Sequence, residues 1–357
     1  MTQLNKLQNA MKAIDLDGVI ISSDLNQRYL SGFDYTDGYV LVTRTEAFLL
    51  ADFRYIEAAR AAVTELEVIR PEGSMLNGLK QLIADRGLAR IAVEDATLSC
   101  ADYRKFTDTF EGCTLCTGGS KLLSDLRTVK TPEELEIIAR AQAITDQAFT
   151  HILGFLSPDV TEQDVALELE FFMRKHGAEG IAFQTIAVSG PASSLPHGVP
   201  SDVKLRPGFL TMDFGAKVDG YCSDMTRTVV IGKADEEMKK VYNTVLSAQK
   251  AALDQIREGI LCREADEIAR GIIRDAGYGE CFGHSLGHGV GMYIHESPNL
   301  SPRAAEDSRL VRGNVVTVEP GIYLEGKYGC RIEDMIAIDH DGTVRNFTKS
   351  PKELIEL

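Results

Sequence analysis

Apolar and polar positions along the first 125 residues predict helices and strands that alternate. Apolar residues recur at helical spacing in four segments, at 4–14, 55–63, 75–84 and 101–110. Short apolar runs typical of strands lie at 18–22, 39–42, 47–51, 66–69 and 90–93. The second and third of these runs are close enough to form a hairpin. This alternation predicts an α/β layer built on a central sheet.

The pattern changes near residue 127, which marks a predicted domain boundary. Thr131 can cap a helix, and Pro132 suits its first position. Helical patterns then follow at 131–155, 161–177, 234–258 and 262–276, with strand-rich stretches at 181–189, 208–231 and 315–349. Because these helices and strands are grouped, we predict an α/β domain at 1–125 followed by an α+β domain at 131–357.

Composition limits which partners the protein is expected to bind and where in the cell it is expected to be. The 357 residues include 38 Lys and Arg against 53 Asp and Glu, a net charge of −15. Nucleic acids and anionic membranes require clustered basic residues, so neither is an expected partner. The first residues lack the charged start and apolar run of a signal peptide, and no apolar stretch reaches about 18 residues, so we expect neither a signal peptide nor a membrane span. Seven scattered cysteines fit reduced thiols, and we expect a cytoplasmic protein.

Two aspartates are placed symmetrically about a turn signal in the stretch 210–230. Val218 and Asp219 open a turn-forming sequence between two β-like runs, and Asp213 and Asp224 are equidistant from the bond that joins them. A hairpin centred there would place the two carboxylates opposite each other, about 5 Å apart. At an effective dielectric of about 20 they would repel by roughly 3 kcal/mol. Such a pair requires a cation or a shared proton.

A second acidic pair repeats this construction. The midpoint between Glu319 and Glu333 is Gly326, which lies inside a turn signal. The flanking segments 315–318 and 335–338 are apolar and typical of buried strands. One ordinary acid facing solvent on each strand is the simpler interpretation, but two hairpins with matched symmetry favour a shared acidic site. Buried carboxylates must be paired or must bind a metal ion.

Four of the seven histidines lie between residues 197 and 295. His284, His288 and His295 share a glycine-rich stretch, which lets the backbone approach a ligand closely. The stretch contains no HExxH zinc helix, and each histidine taken alone fits a hydrogen-bonded core residue. Four carboxylates with one imidazole nevertheless form a plausible set for two divalent ions. The oxygen-rich set favours Mn²⁺ or Co²⁺, with Zn²⁺ as a further candidate.

The region 131–357 resembles the pita-bread metallopeptidases, a family that includes prolidase, aminopeptidase P and methionine aminopeptidase. The resemblance is carried by five short motifs, MDFG, YCSDMTRT, GHGVG, VEPGIY and RIED. They match the family's five metal ligands at Asp213, Asp224, His288, Glu319 and Glu333. The resemblance implies a pita-bread fold that binds two divalent ions. The region 1–125 resembles the smaller creatinase-type domain that precedes it, through LSGF at 30–33 and ADFRY at 51–55.

Residues outside the ligand set resemble the proline-specific branch, which contains prolidase and aminopeptidase P. His284 and Arg331 are usually missing from methionine aminopeptidases, and the segment PHGVPSD from Pro196 also resembles the proline-specific enzymes. The resemblance therefore implies a hydrolase that cleaves the Xaa-Pro bond at the N-terminus of dipeptides or other short proline-containing peptides. It also implies a homodimer.

The resemblance further implies roles for individual residues. A hydroxide bridging the two ions would attack the scissile carbonyl, and Glu319 would relay a proton to the leaving nitrogen while binding metal. His197 and His295 would stabilise the developing negative charge. Arg331 would brace the metal-binding carboxylates. Two further residues would line the substrate site, His284 and Tyr323.

Alternatives of two classes stand beside this interpretation. A methionine or general aminopeptidase uses the same scaffold, and a substrate panel would distinguish it. A non-catalytic peptide-binding protein also uses this scaffold, although such relatives have typically lost ligands and this chain retains all five. Within the proline-specific branch, the short first region and the HSLGHGVG variant lean slightly towards prolidase over aminopeptidase P.

Overall fold

The computed structural model describes residues 2–357, and contacts among them divide the chain into two compact units, Met1–Arg127 and Thr128–Leu357. The described residues form one large buried apolar cluster in the first unit and two in the second. Within the described part of the chain, no helix has the length and apolarity that crossing a membrane requires.

The described residues of the first unit form a six-stranded mixed sheet with helices packed against it. The strands are β1 Gly18–Ile21, β2 Tyr39–Thr43, β3 Ala47–Leu50, β4 Glu67–Ile69, β5 Arg90–Val93 and β6 Thr114–Cys116. The helices are α1 Gln3–Ala13, α2 Asp24–Ser31, α3 Ile56–Ala62, α4 Met75–Asp85, α5 Cys100–Thr109 and α6 Gly119–Thr128. The strand order is β4-β3-β2-β1-β5-β6, and β2 and β3 form the predicted hairpin.

The second unit groups its helices and strands as predicted. Its helices are α7 Pro132–Phe155, α8 Glu162–Lys175, α9 Glu236–Gln255 and α10 Cys262–Ile273. Its first strands are β7 Gly180–Ile181, β8 Ile186–Ser189, β9 Gly208–Phe214, β10 Ala216–Val218, β11 Tyr221–Cys222 and β12 Met225–Ile231. The later strands are β13 Gly287–Gly289, β14 Glu296–Leu300, β15 Val315–Val318, β16 Gly321–Leu324, β17 Tyr328–Arg331, β18 Asp334–Ile338 and β19 Val344–Asn346.

Helix α7 begins where its sequence predicts, because its N-terminal N–H groups find local partners. The Glu134 N–H group donates to the Thr131 hydroxyl, and the Glu134 carboxylate accepts from the Thr131 N–H group. This reciprocal capping box satisfies donors that have no partner within the helix. Thr161 and Asp164 form the same arrangement before α8. The predicted starts of both helices are confirmed.

Each pair of helices buries a different sheet. Helices α7 and α8 share a core with β9 and β12, in which Phe149 and Leu169 pack with Met212. Helices α9 and α10 share a second core with β15 and β18, which includes Val245 and Val316. Burial of apolar surface on this scale is the main favourable term in folding. It fixes the strands that carry the acidic residues.

The hairpin between β9 and β12 has a different register from the predicted one. Asp219 and Gly220 have φ angles of 47° and 87°, the combination that a two-residue type I′ turn requires. The turn is therefore centred one position later than predicted, and Asp213 pairs with Thr226 rather than with Asp224. The prediction of directly opposed aspartates is wrong. The two carboxylates instead occupy diagonal positions, which lie on the same face of a sheet.

The second hairpin has the predicted register. Strands β15 and β18 pair in the same register as β16 and β17, and the common midpoint is Gly326. This register places Glu319 opposite Glu333, in the short gap between the β15–β18 pairing and the β16–β17 pairing. There the Glu319 N–H group donates to the Leu286 carbonyl and the Glu333 N–H group donates to the Thr226 carbonyl. The second bond attaches one acidic hairpin to the other.

Candidate metal centre

The predicted site residues converge on one cavity in the second unit, with a volume of about 730 Å³. The predicted metal ligands on its wall are Asp213, Asp224, His288, Glu319 and Glu333. The other predicted site residues on the wall are His197, His284, His295 and Arg331. Tyr323 joins them through hydrogen bonds to His284 and Arg331. Segments far apart in sequence therefore meet at a single site.

An imidazole lies between acids from the two hairpins. Potential ligand atoms of Asp224, His288 and Glu333 all lie within 4.8 Å of one another, the only group of this kind found in residues 2–357. His288 Nε2 is 3.4 Å from Asp224 Oδ2 and 3.4 Å from Glu319 Oε1. The cluster therefore combines nitrogen and oxygen donors at distances that metal coordination can bridge.

Two carboxylate oxygens of this cluster are buried without a hydrogen-bond partner among residues 2–357, Asp213 Oδ1 and Glu333 Oε1. The second oxygen of each residue does have a partner. Asp213 Oδ2 accepts from Arg331 Nη2 at 2.7 Å, and Glu333 Oε2 accepts from Thr226 Oγ1 at 2.8 Å. A buried oxygen without a donor is costly, and a divalent cation would satisfy it. These residues therefore fit metal ions.

The pKa values in the cluster indicate the same need for positive charge. Burial, reinforced by the Glu333 and Asp213 carboxylates, raises the pKa of Asp224 well above its ordinary value. Burial followed by the Glu319 charge raises the pKa of Glu333 in the same direction. Burial also raises the pKa of Glu319 to about 8, although the Arg331 charge opposes the shift. Bound cations would allow all of these acids to ionise together.

The His288 side chain is prepared to act as a ligand. Burial lowers the pKa of His288, so the imidazole is neutral near pH 7, the form that binds metal. Its Nδ1 lies 3.1 Å from the Gly289 carbonyl oxygen, a contact that places the ring proton there and leaves Nε2 as the donor to metal. The backbone N–H group of His288 donates to Thr317 Oγ1, and the Thr317 hydroxyl donates to Glu319 Oε1 at 3.1 Å. One threonine thus connects two predicted ligands.

A buried guanidinium organises the opposite side of the cluster. Arg331 donates to Asp213 Oδ2, to Thr226 Oγ1 at 2.9 Å and to the Tyr323 hydroxyl at 2.6 Å. The Tyr323 hydroxyl lies 2.9 Å from His284 Nε2, while His284 Nδ1 contacts the Ser285 carbonyl. Burial and the Arg331 charge lower the pKa of His284 to about 3. His284 is therefore neutral and accepts from the tyrosine.

Two threonines in the site were not predicted. Thr226 bridges Arg331 and Glu333, and Thr317 bridges His288 and Glu319. The sequence does contain a signal for both threonines. Thr226 lies two positions after Asp224, and Thr317 lies two positions before Glu319, in segments that were predicted to be strands. Residues two apart on a strand face the same side of the sheet.

The remaining wall of the cavity suits a short peptide with an apolar residue. Phe183, Ile186 and Ile294 supply apolar surface, and His197 and His295 are exposed to the cavity. Cavities of this size accommodate small-molecule and short peptide ligands. Acids that fit metal ions, beside exposed histidines and an apolar wall, define a candidate metal-dependent site in a cavity of peptide-binding size.

Comparison with known families identifies the class more closely. Residues 136–340 match the model of metallopeptidase family M24, and residues 3–129 match that of the creatinase/prolidase N-terminal domain. The chain belongs to metallopeptidase family M24, with a creatinase-type N-terminal domain followed by a pita-bread domain. The predicted family and fold class are confirmed.

Individual relatives place the chain in the prolidase and aminopeptidase P branch. The chain is 36% identical to the Xaa-Pro dipeptidase of Pyrococcus horikoshii, with 99% of this chain and 98% of that protein covered. The structure of an Xaa-Pro dipeptidase from Bacillus anthracis is similar with a TM-score of 0.95 and 40% identity, covering 99% of each chain. An X-Pro aminopeptidase from Thermotoga maritima gives a TM-score of 0.90 and 36% identity, covering 98% of this chain and 100% of that one. The predicted branch is confirmed, whereas the roles of individual residues stay predictions.

Proposed function

We propose that this protein hydrolyses the Xaa-Pro bond at the N-terminus of dipeptides or other short peptides with two divalent metal ions. The observation that carries the proposal is the convergence of five ligand residues in which Asp213 Oδ1 and Glu333 Oε1 have no hydrogen-bond donor among residues 2–357. The choice of substrate is supported by the Xaa-Pro dipeptidases and the X-Pro aminopeptidase to which the chain is similar.

The metal ions would be held by Asp213, Asp224, His288, Glu319 and Glu333. When bound, such ions supply Lewis acidity, which polarises a carbonyl oxygen and makes water nucleophilic near neutral pH. Oxygen-rich coordination favours Mn²⁺ or Co²⁺, with Zn²⁺ as a further candidate. Similarity to the family also supports a homodimer, which light scattering would test.

The remaining catalytic roles are assigned to side chains around the cavity. Glu319 is on the cavity wall beside His288, where its carboxylate can accept a proton from the attacking water and deliver it to the leaving nitrogen. His197 and His295 are exposed side chains on the same wall and would donate hydrogen bonds to the oxygen on which negative charge develops. His284 and Tyr323 would shape the substrate side of the cavity.

The cavity has an acidic wall and an apolar wall, and each would recognise a different part of the substrate. The free amine at the N-terminus of a peptide would sit beside the metal centre, near a metal ion or one of the acids that hold it. Apolar surface from Phe183, Ile186 and Ile294 would pack against a proline ring, because the ring is apolar and its burial is favourable.

A substrate panel tests the proposal. Metal-stripped protein reloaded with Mn²⁺ would be offered Ala-Pro, Ala-Pro-Ala, Ala-Ala and Met-Ala. We expect cleavage of the two proline peptides and little cleavage of the others, and the ratio between the first two separates a dipeptidase from an aminopeptidase P. Preferential cleavage of Met-Ala would overturn the proposal in favour of a methionine aminopeptidase. Metal uptake without any cleavage would overturn it in favour of a peptide-binding protein.

A further inference from the structure

The loop 190–200 supplies a large part of the cavity wall. It is the first part of the connection from β8 to β9 and begins with a short 3-10 helix, Gly190–Ser194. Its second half, from Pro196 to Pro200, lines the cavity and carries the exposed His197. A loop holds a side chain in place only if its own backbone is fixed by contacts with the rest of the domain. The position of His197 therefore depends on what fixes the two ends of this loop.

One buried carboxylate bonds to both ends. Glu162 is the first residue of α8 and is 2% exposed. Its Oε1 accepts from the Ser189 N–H group at 2.7 Å and from the Ser189 hydroxyl at 2.9 Å. Its Oε2 accepts from the Ser201 hydroxyl at 2.8 Å and from the Ser201 N–H group at 3.3 Å. Because Ser189 precedes the loop and Ser201 follows it, the side chain of Glu162 ties the entrance to the exit.

The exit of the loop is also bonded to the start of α8. The Glu162 N–H group donates to the Val203 carbonyl at 3.0 Å, and the Gln163 N–H group donates to the Ser201 carbonyl at 2.9 Å. These N–H groups lie in the first turn of the helix and have no acceptor within it. The exit thus has backbone anchors on α8. At the entrance, Ser189 pairs with Leu210 of β9 and is linked to α8 through the Glu162 carboxylate.

The middle of the loop contacts the strand that carries Arg331. The Gly329 N–H group donates to the Ser193 hydroxyl at 3.0 Å, and Arg331 Nη1 donates to the Pro196 carbonyl at 3.3 Å. Arg331 also holds Asp213. A shift of the loop would therefore change the position of His197 relative to the metal-binding carboxylates.

We propose that Glu162 is a positioning residue for His197. By holding Ser189 and Ser201 together, it fixes the path of the loop that presents His197 to the substrate carbonyl. The inference rests on the proposed function, in which His197 stabilises the developing negative charge. Glu162 is not among the cavity-lining residues in the described part of the chain, so it acts through the loop rather than by touching substrate or metal.

The test begins with Glu162→Gln, which keeps the size of the side chain. The amide group replaces one acceptor oxygen by a donor that faces further donors, which disrupts one half of the bridge. We expect kcat/KM for Ala-Pro to fall by roughly 10- to 100-fold, the scale of effects caused by small displacements of catalytic groups. Mn²⁺ stoichiometry should stay at the wild-type value, because the predicted ligands lie on other segments.

A matched control comes from the first unit. Glu94 is 1% exposed and accepts from the N–H and hydroxyl groups of Ser22 and Ser23, the same chemistry as the Glu162 bridge. Glu94→Gln should lower Tm to a similar extent as Glu162→Gln and leave kcat/KM close to the wild-type value. An equal loss of activity in both variants would show that a general loss of stability explains the result, and would overturn the inference.

A double-mutant cycle with His197→Ala separates positioning from a merely structural role. If Glu162 acts through His197, Glu162→Gln should lower kcat/KM little when His197→Ala is already present. If the two residues act independently, the two losses of kcat/KM should multiply. Multiplicative losses, or wild-type activity of Glu162→Gln, would overturn the inference. Should Glu162→Gln fail to fold, Ser201→Ala removes one donor and carries the same cycle with a smaller expected loss. If the wild-type protein cleaves no Xaa-Pro peptide, the proposed function fails and takes this inference with it.

Discussion

Glu94 in the first unit and Glu333 in the second are each 1% exposed, but their surroundings differ. Glu94 is surrounded by donors, which include the N–H and hydroxyl groups of Ser22 and Ser23. Glu333 receives a hydrogen bond from Thr226 at Oε2, and its Oε1 has no partner among residues 2–357. The two carboxylates are thus equally buried but differ in the number of hydrogen-bond donors around them.

This difference separates a structural carboxylate from one that requires a cation. Glu162 belongs with Glu94, because both of its oxygens accept from N–H and hydroxyl groups. Asp213 belongs with Glu333, because only one of its oxygens has a donor among the described residues. Donors fully satisfy a buried carboxylate in the first case, whereas charge compensation must come from elsewhere in the second. The number of donors, rather than burial, therefore distinguishes the candidate metal site.

The largest expected effect follows from neutralising one acid of the cluster. Asp224→Asn removes a ligand charge, and we expect kcat/KM for Ala-Pro to fall by at least about 10³-fold, since metal ions contribute several kcal/mol to such reactions. Metal analysis should show less bound Mn²⁺. The metal-free variant should be at least as stable as the metal-free wild type, because a repulsive charge is gone. Wild-type activity in this variant would contradict the metal assignment.

A smaller loss is expected from removing the guanidinium that braces the cluster. Arg331→Met leaves Asp213 Oδ2 without its partner, and mutations of this kind typically reduce metal affinity or activity by about 10- to 100-fold. Mn²⁺ titration and steady-state kinetics measure both effects. Arg345→Met provides the control, because Arg345 pairs with the exposed Glu136, and it should retain wild-type affinity.

The pH dependence of the metal-free protein sharpens the comparison. The folded state raises the pKa values of Asp224, Glu319 and Glu333, with Glu319 at about 8. Above about pH 7, where His284 and His288 are neutral in both states, these three acids make the folded state bind more protons than the unfolded state, so the free energy of unfolding falls as pH rises. We expect Tm of the metal-free protein to fall by about 5 °C between pH 7 and pH 8.5, which corresponds to about 2 kcal/mol.

Added Mn²⁺ should reverse this trend, with a larger gain in Tm at pH 8.5 than at pH 7. Calorimetric scans at both pH values measure the effect, and Asp224→Asn should show a flatter pH profile. A metal-free wild-type protein whose Tm rises across this range would contradict the assigned repulsion.

The smallest effect is expected at a threonine that the sequence analysis missed. Thr226→Val deprives Glu333 and Arg331 of a buried partner, which costs about 1–3 kcal/mol in stability and should weaken Mn²⁺ binding. Thr43→Val is the matched control, because Thr43 is also buried and its hydroxyl donates to the Glu46 carbonyl in the first unit. Both variants should lose stability, but only the first should lose metal affinity. Equal metal affinities would exclude a role for Thr226 in the site.

The sequence predicted the features that depend on local chemistry. Thr131 was predicted to cap α7, and it does so by accepting from the backbone N–H group of Glu134, three residues away. The register around Gly326 followed from a turn placed midway between Glu319 and Glu333. Helices and strands with strong apolar periodicity were predicted for the same reason, since burial of one face determines both the element and its orientation.

Other features depended on contacts that a linear pattern does not show. The register error at Asp213 arose because Asp219 adopts a positive φ, which moves the centre of the turn by one position. The Glu162 bridge links residues 27 and 39 positions away, so neither Ser189 nor Ser201 was associated with it. Donors around a buried acid come mainly from distant segments, so the distinction between the two kinds of carboxylate needed the folded structure.

Calorimetric titration of metal-stripped protein with Mn²⁺ at pH 7.5 tests this distinction most directly. Wild-type protein and Glu94→Gln should each bind two ions per chain with a rise in Tm, whereas Asp224→Asn should bind less Mn²⁺. Failure of the wild-type protein to bind Mn²⁺, Co²⁺ or Zn²⁺, with no change in Tm, would contradict the conclusion that the acids around His288 require cations.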